Sequence, residues 1–83
     1  MNKERLIETI NLCIEEIKGE KIEELTGKSF VDDLDFDSVE MVELIVALEE
    51  HLGMDLAEDI MLENFDTYEN FVEGIWEVIN NAR

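Results

Sequence analysis

Proline is absent from these 83 residues, and cysteine, tryptophan and tyrosine occur once each. Without proline, nothing forces a kink into a helical stretch. With Cys13 alone, there is no internal disulfide and no multi-cysteine metal site. Basic side chains are scarce as well: 6 Lys and Arg stand against 23 Asp and Glu, for a formal net charge of -17 at pH 7. Such a charge repels nucleic acid phosphates and anionic membrane surfaces, so neither is an expected partner, and it favours basic patches on other proteins. Self-repulsion weakens the compact state at low salt, and cations that screen the charge tighten it. No apolar run approaches the roughly 18 residues that span a bilayer. The charged start Met1-Asn2-Lys3-Glu4 lacks the apolar run of a signal peptide. The expectation is a monomer in the cytoplasm.

What is present is helical periodicity. Leu6, Ile7, Ile10, Cys13, Ile14 and Ile17 recur at steps of three and four, giving residues from about 3 to 18 one apolar stripe and a charged back. Lys18-Gly19 reads as a basic last turn followed by a glycine stop. Residues 19 to 36 show no sustained period, and the apolar pair Phe30 and Val31 is expected to pin this long connection to the core. From Ser38 to about Leu52 a second helix follows. Val42, Ile45, Leu48 and Leu52 form its buried face, widened by Met41 and Leu44, and Gly53 is its stop. The opposite side gathers Glu40, Glu43, Ala47 and Glu50, with Val39 and Val46 along its edge.

Ala57 to about Leu62 is a short third helical segment. Asp66-Thr67-Tyr68-Glu69 then reads as a cap for a last helix running to about Asn80, with Tyr68, Phe71, Val72, Ile75 and Ile79 down one face. The fold class is all-α. The expected architecture is a single-domain small four-helix bundle over 1–83, three longer helices and one short one, with a long loop between the first two. At this size most long apolar side chains go into packing, and little interior remains for a catalytic pocket.

Asp37-Ser38-Val39-Glu40 carries the chemistry. Asp37 can accept from the orphaned N–H groups at the helix start, with Glu40 three residues on to complete a capping box. Ser38 then occupies the first helical position and points outward. A hydroxyl there with no base beside it reads as a candidate for modification by another enzyme, against the plainer reading of an ordinary cap or first-turn residue.

The segment from Phe30 through Asp32-Asp33-Leu34-Asp35-Phe36-Asp37-Ser38-Val39-Glu40-Met41-Val42-Glu43-Leu44, continuing to Ala47-Leu48-Glu49-Glu50, resembles the acyl carrier protein family. These are the phosphopantetheine-bearing carriers of fatty acid, polyketide and related syntheses. With the first helix before it and residues 65 to 79 after it, the likeness covers nearly the whole chain.

The resemblance implies that Ser38 takes 4′-phosphopantetheine from coenzyme A through a phosphopantetheinyl transferase, with Asp37 matching the aspartate before the serine. It implies that the arm's thiol carries acyl groups as thioesters, and that the chain is not itself an enzyme. It also implies that Val39, Glu40, Glu43, Val46 and Glu50 dock on basic patches of acyl-transferring and condensing enzymes, with Glu49 a lesser contributor. Two departures stand out: Asp35 replaces the glycine usual two positions before the aspartate, and Val39 replaces leucine after the serine. Fatty acid synthesis is the default pathway, and a polyketide, nonribosomal peptide or other specialised route fits the departures.

The rival from another class is an unmodified acidic interaction module or a calcium-responsive helical protein. Asp33, Asp35 and Asp37 imitate the first, third and fifth ligands of an EF-hand loop. Ser38 then falls where its glycine belongs and Leu44 where its last ligand belongs, so no specific metal site is expected. Cys13 lies on the first apolar stripe and reads as core. His51, in the last turn of the second helix, suits the helix dipole and lies too far from Ser38 for a triad. Trp76 sits beside the last stripe, and Met41, Met54 and Met61 read as ordinary core filling, the alternative being an adaptable interior that opens for an attached acyl chain.

Overall fold

The computed structural model describes residues 2–56 and 66–81. Among the described residues there are three helices, α1 (Lys3–Lys18), α2 (Ser38–Leu52) and α3 (Tyr68–Asn81), and a single antiparallel bridge, Ser29 to Thr67. The architecture is all-helical, as the periodicity predicts. The short segment from Ala57 to Leu62, with Met61 on it, lies outside the described residues.

α1 begins where the Asn2 side chain accepts from the Arg5 N–H at 2.9 Å, and it ends at Gly19, whose φ of 74° suits glycine because it lacks a Cβ. Leu6, Ile10, Cys13 and Ile14 are fully buried, and Ile7 and Ile17 pack at the margin. Burial, followed by the negative charge of Glu16, pushes the Cys13 thiol up from 9.0 to about 11. Because the folded state then holds its thiol proton beyond the unfolded pKa, this group's contribution to stability is complete below pH 9.0. It is lost as pH rises toward about 11. Iodoacetamide near neutral pH is expected to alkylate native Cys13 at least about 100-fold more slowly than the urea-unfolded chain, read by intact mass. Equal rates would place the thiol at the surface.

The connection between α1 and α2 is ordered by distant partners and has no period of its own. The Phe30 N–H donates to the Asp66 carbonyl at 2.9 Å, and the Tyr68 N–H to the Lys28 carbonyl at 2.9 Å, so the loop is stitched to the start of α3. The N–H groups of Asp33 and Leu34 return to the Ser29 carbonyl, and that of Phe36 to the Phe30 carbonyl at 2.7 Å. This tight turn corrects the expected anchor. Phe30 is fully buried but Val31 is 63% exposed, because the chain reverses there; Leu25, Leu34 and Phe36 supply the remaining buried contacts. Phe30 stands edge-on to Phe36 and Phe71 at 5.2 and 5.3 Å between centroids, joining the loop to α3.

The start of α3 is also corrected, by one residue. The Thr67 hydroxyl accepts from the Asn70 N–H at 3.2 Å, and Asp66 instead accepts from the Asn70 side-chain amide at 2.8 Å. Glu69, expected to complete a box, accepts from the Gly27 N–H at 2.7 Å and holds the loop. Tyr68, Phe71, Val72 and Ile75 are buried, and Ile79 and Trp76 pack at the edge of the core. The Tyr68 hydroxyl donates to the Asn11 side-chain carbonyl at 2.7 Å, tying α3 to α1. Lys3 and Glu73 form a surface pair between the same helices.

Candidate functional site

The start of α2 forms as the sequence predicts. The Asp37 carboxylate accepts from the Glu40 N–H at 2.8 Å, and the Glu40 carboxylate accepts from the Asp37 N–H at 3.3 Å, so both halves of the capping box are present. Ser38 is the first helical residue and is exposed. Its hydroxyl makes no hydrogen bond to the described residues. By contrast, Ser29 Oγ accepts from the Asp32 N–H, Thr67 Oγ1 from the Asn70 N–H, and Thr9 Oγ1 donates to the Arg5 carbonyl.

Along α2 the buried arc is Met41, Leu44, Ile45 and Leu48. At about 100° per residue, Val39, Glu43, Val46 and Glu50 lie opposite that arc, forming one exposed strip that leads away from Ser38. Val39 is 63% and Val46 45% exposed. The valines therefore stand at the centre of the outer face, whereas the sequence reading put them on its edge. Val42 is also corrected: expected in the core, it is 48% exposed, because about a third of a turn separates it from Met41. It borders the strip beside Val39 and Val46, at steps of three and four. Three aligned exposed valines flanked by carboxylates are more than the scattered apolar residues of an ordinary surface.

Glu40 and Ala47 flank the strip on the α1 side, and Glu40 is tied down. Both of its carboxylate oxygens lie 3.2 Å from Lys18 Nζ, and the side chain is 26% exposed. Glu49 accepts from the Leu56 N–H at 2.8 Å, which holds the chain that leaves α2. His51 Nε2 lies 3.2 Å from a Glu16 carboxylate oxygen, so it links α2 to α1 at the surface. Met41 is buried, while Met54 lines an open groove of about 290 Å³ with Val46, Glu49, Glu50, Gly53 and Asp55.

Asp35, which the family resemblance sets in place of a glycine, has a φ of 56°. That left-handed conformation is uncommon for a residue with a Cβ. Its carbonyl accepts from Lys18 Nζ at 2.8 Å, and the same ammonium lies 4.8 Å from the centroid of the Phe36 ring. Lys18 was legible only as a basic last turn; nothing local in the sequence pairs it with residues 17 and 22 positions away.

The Asp33 carboxylate is turned to the Ser29 N–H at 2.8 Å and that of Asp37 to the Glu40 N–H. Two of the three aspartates of the EF-hand-like run are therefore committed to backbone donors. The described residues contain no group of three His, Cys, Asp or Glu placed to hold a metal ion. No described helix is long and apolar enough to cross a membrane.

This arrangement fits a covalently tethered phosphodiester. The hydroxyl is outward and unencumbered, the neighbouring carboxylate of Asp37 is occupied by the cap, and the positive end of the helix dipole suits a phosphate. The family described as "Phosphopantetheine attachment site" matches residues 8–75. An acyl carrier protein of Petrotoga mobilis is 36% identical over 81 residues, covering 96% of this chain and 94% of the relative. An acyl carrier protein of Thermobifida fusca is 35% identical over 75 residues, covering 89% and 94%. The meromycolate extension acyl carrier protein of Mycobacterium leprae is 42% identical over 60 residues, covering 71% of this chain and 52% of the relative. No solved structure matches the chain.

Proposed function

The chain belongs to the acyl carrier protein family, and on that ground we propose that Ser38 is the attachment point of its 4′-phosphopantetheine. The observation that carries this reading is the exposed Ser38 hydroxyl at the first position of α2, set by the Asp37–Glu40 box. In the transfer, Ser38 Oγ forms an ester bond to phosphorus while the pyrophosphate P–O bond of coenzyme A breaks. Adenosine 3′,5′-bisphosphate leaves, and the hydroxyl proton passes to a base of the phosphopantetheinyl transferase. Once attached, the arm supplies a thiol that holds acyl groups as thioesters. Asp37 keeps the helix start in place so that Ser38 stays presented. The chain itself catalyses nothing in this reading and works as a carrier in the cytoplasm, where a free thiol such as Cys13 persists.

Val39, Val42, Glu43, Val46 and Glu50 dock the transferase and the acyl-transferring and condensing enzymes. Glu40 contributes to the same face from its tethered position. A carrier must leave each partner quickly, and exposed ion pairs of about 0.2 to 1 kcal/mol each steer association without holding the complex. The exposed valines add a small apolar contact beside Ser38. The acyl chains are intermediates of fatty-acid-type synthesis. A second reading, a dedicated chain-extension or other specialised pathway, is favoured by the name of the mycobacterial relatives.

Labelling with a fluorescent coenzyme A analogue and a broad-specificity transferase, followed by peptide mapping, tests the attachment. Label is expected on the peptide that contains Ser38; label elsewhere, or none, overturns it. Reversing both Glu43 and Glu50 to lysine is expected to lower kcat/KM for the transferase about tenfold at low salt, mostly through KM, with helicity unchanged. Unaltered low-salt kinetics would remove the docking role.

A further inference from the structure

We infer that Lys18 is a positioning residue for the modification of Ser38, an inference that rests on Ser38 being the attachment point. Lys18 belongs to the last turn of α1, yet its side chain is only 17% exposed. A lysine that merely complemented the helix dipole would keep its ammonium in water. Here the ammonium donates to the Asp35 carbonyl at 2.8 Å, lies over the Phe36 ring, and meets both carboxylate oxygens of Glu40 at 3.2 Å. These partners bracket Asp37-Ser38, two before it and one after.

Each contact fixes a different feature of the approach to Ser38. The bond to its carbonyl holds Asp35 in the left-handed conformation that its own Cβ disfavours. The ring contact seats Phe36 in the core, where it is 2% exposed. The ion pair orients the carboxylate that closes the capping box on the Asp37 N–H. Lys18 therefore sets where the hydroxyl stands when a transferase has docked on α2, and it does so without touching the coenzyme. The strip of Val39, Glu43, Val46 and Glu50 lies on the far side of α2 from the buried arc, and Lys18 reaches the docking face only through Glu40, which flanks that strip.

Two measurable consequences separate positioning from general stabilisation. Loss of Lys18 acts on turnover in the docked complex more than on docking, so kcat falls while KM holds. Glycine at position 35 takes the left-handed conformation without the lysine's help, so it restores turnover to a chain that lacks Lys18.

The experiment is steady-state modification by coenzyme A and a phosphopantetheinyl transferase of the full-length wild type and the Lys18→Met, Lys18→Arg and Lys18→Met/Asp35→Gly variants. Lys18→Met is expected to lower kcat about tenfold with KM within about twofold; Lys18→Arg recovers part of the loss, and adding Asp35→Gly recovers most of it. If Lys18→Met does not fold, Lys18→Gln, which keeps a donor for the Asp35 carbonyl, is expected to show the same split at about threefold. Wild-type kcat in the Lys18 variants overturns the inference alone. So does a fall in kcat/KM carried by KM with no recovery from Asp35→Gly. A wild-type chain that accepts no phosphopantetheine overturns the attachment reading and this inference with it.

Discussion

The Ser38→Ala protein is expected to fold as the wild type does and to take up no phosphopantetheine at all. Ser38 is exposed and contributes no hydrogen bond to the described residues, and the box between Asp37 and Glu40 forms without it. Alanine is also the best helix former, so the change in stability should stay within about 0.5 kcal/mol. The loss of incorporation should nonetheless be complete, because attachment needs one particular nucleophilic oxygen. Ser29, the only other serine, holds the Asp32 N–H within a tight turn and has no helix start beside it. Circular dichroism and mass after transferase treatment read the two halves of this expectation. An adduct on the variant would place the attachment on another residue.

The second large effect is structural. Phe30→Ala is expected to cost about 3 to 5 kcal/mol, read as the shift in the midpoint of urea unfolding. For a domain of this size that is a large share of a total of roughly 0.05 to 0.15 kcal/mol per residue. Phe30 is fully buried and meets Phe36 on one side and Phe71 on the other, so its removal opens the junction of loop and α3. The same ring supports Phe36, and through it the approach to Ser38. With so much negative charge on the chain, added salt should recover part of the loss by screening. A shift worth under about 1 kcal/mol would show that the loop is held by its backbone bonds alone.

The features legible in the sequence are those whose causes are local. The stripe from Leu6 to Ile17, the basic turn and glycine at Lys18-Gly19, and the Asp37–Glu40 spacing each specify structure within a few residues, and α1 and α2 appear where they point. The start of α3 slipped by one residue because Asp66 and Thr67 are both good caps and Asn70 bonds to each. The connection before α2 had no period because its order comes from Asp66 and Tyr68, far along the chain. Val42 is exposed although its spacing predicts burial, because an arc centred between Leu44 and Ile45 leaves it just outside. The special conformation of Asp35 is marked only by the family resemblance, which sets it in place of a glycine, and the lysine that supports it is brought there by the packing of α1 against the loop.

The most direct test of the attachment site is the intact mass of the wild-type protein before and after incubation with coenzyme A and a transferase, followed by fragmentation of the modified chain. A gain of one phosphopantetheine per chain, carried by the fragment that holds Ser38, is the expected result. An unchanged mass under conditions that modify a known carrier, or an adduct that maps to any other residue, would contradict it.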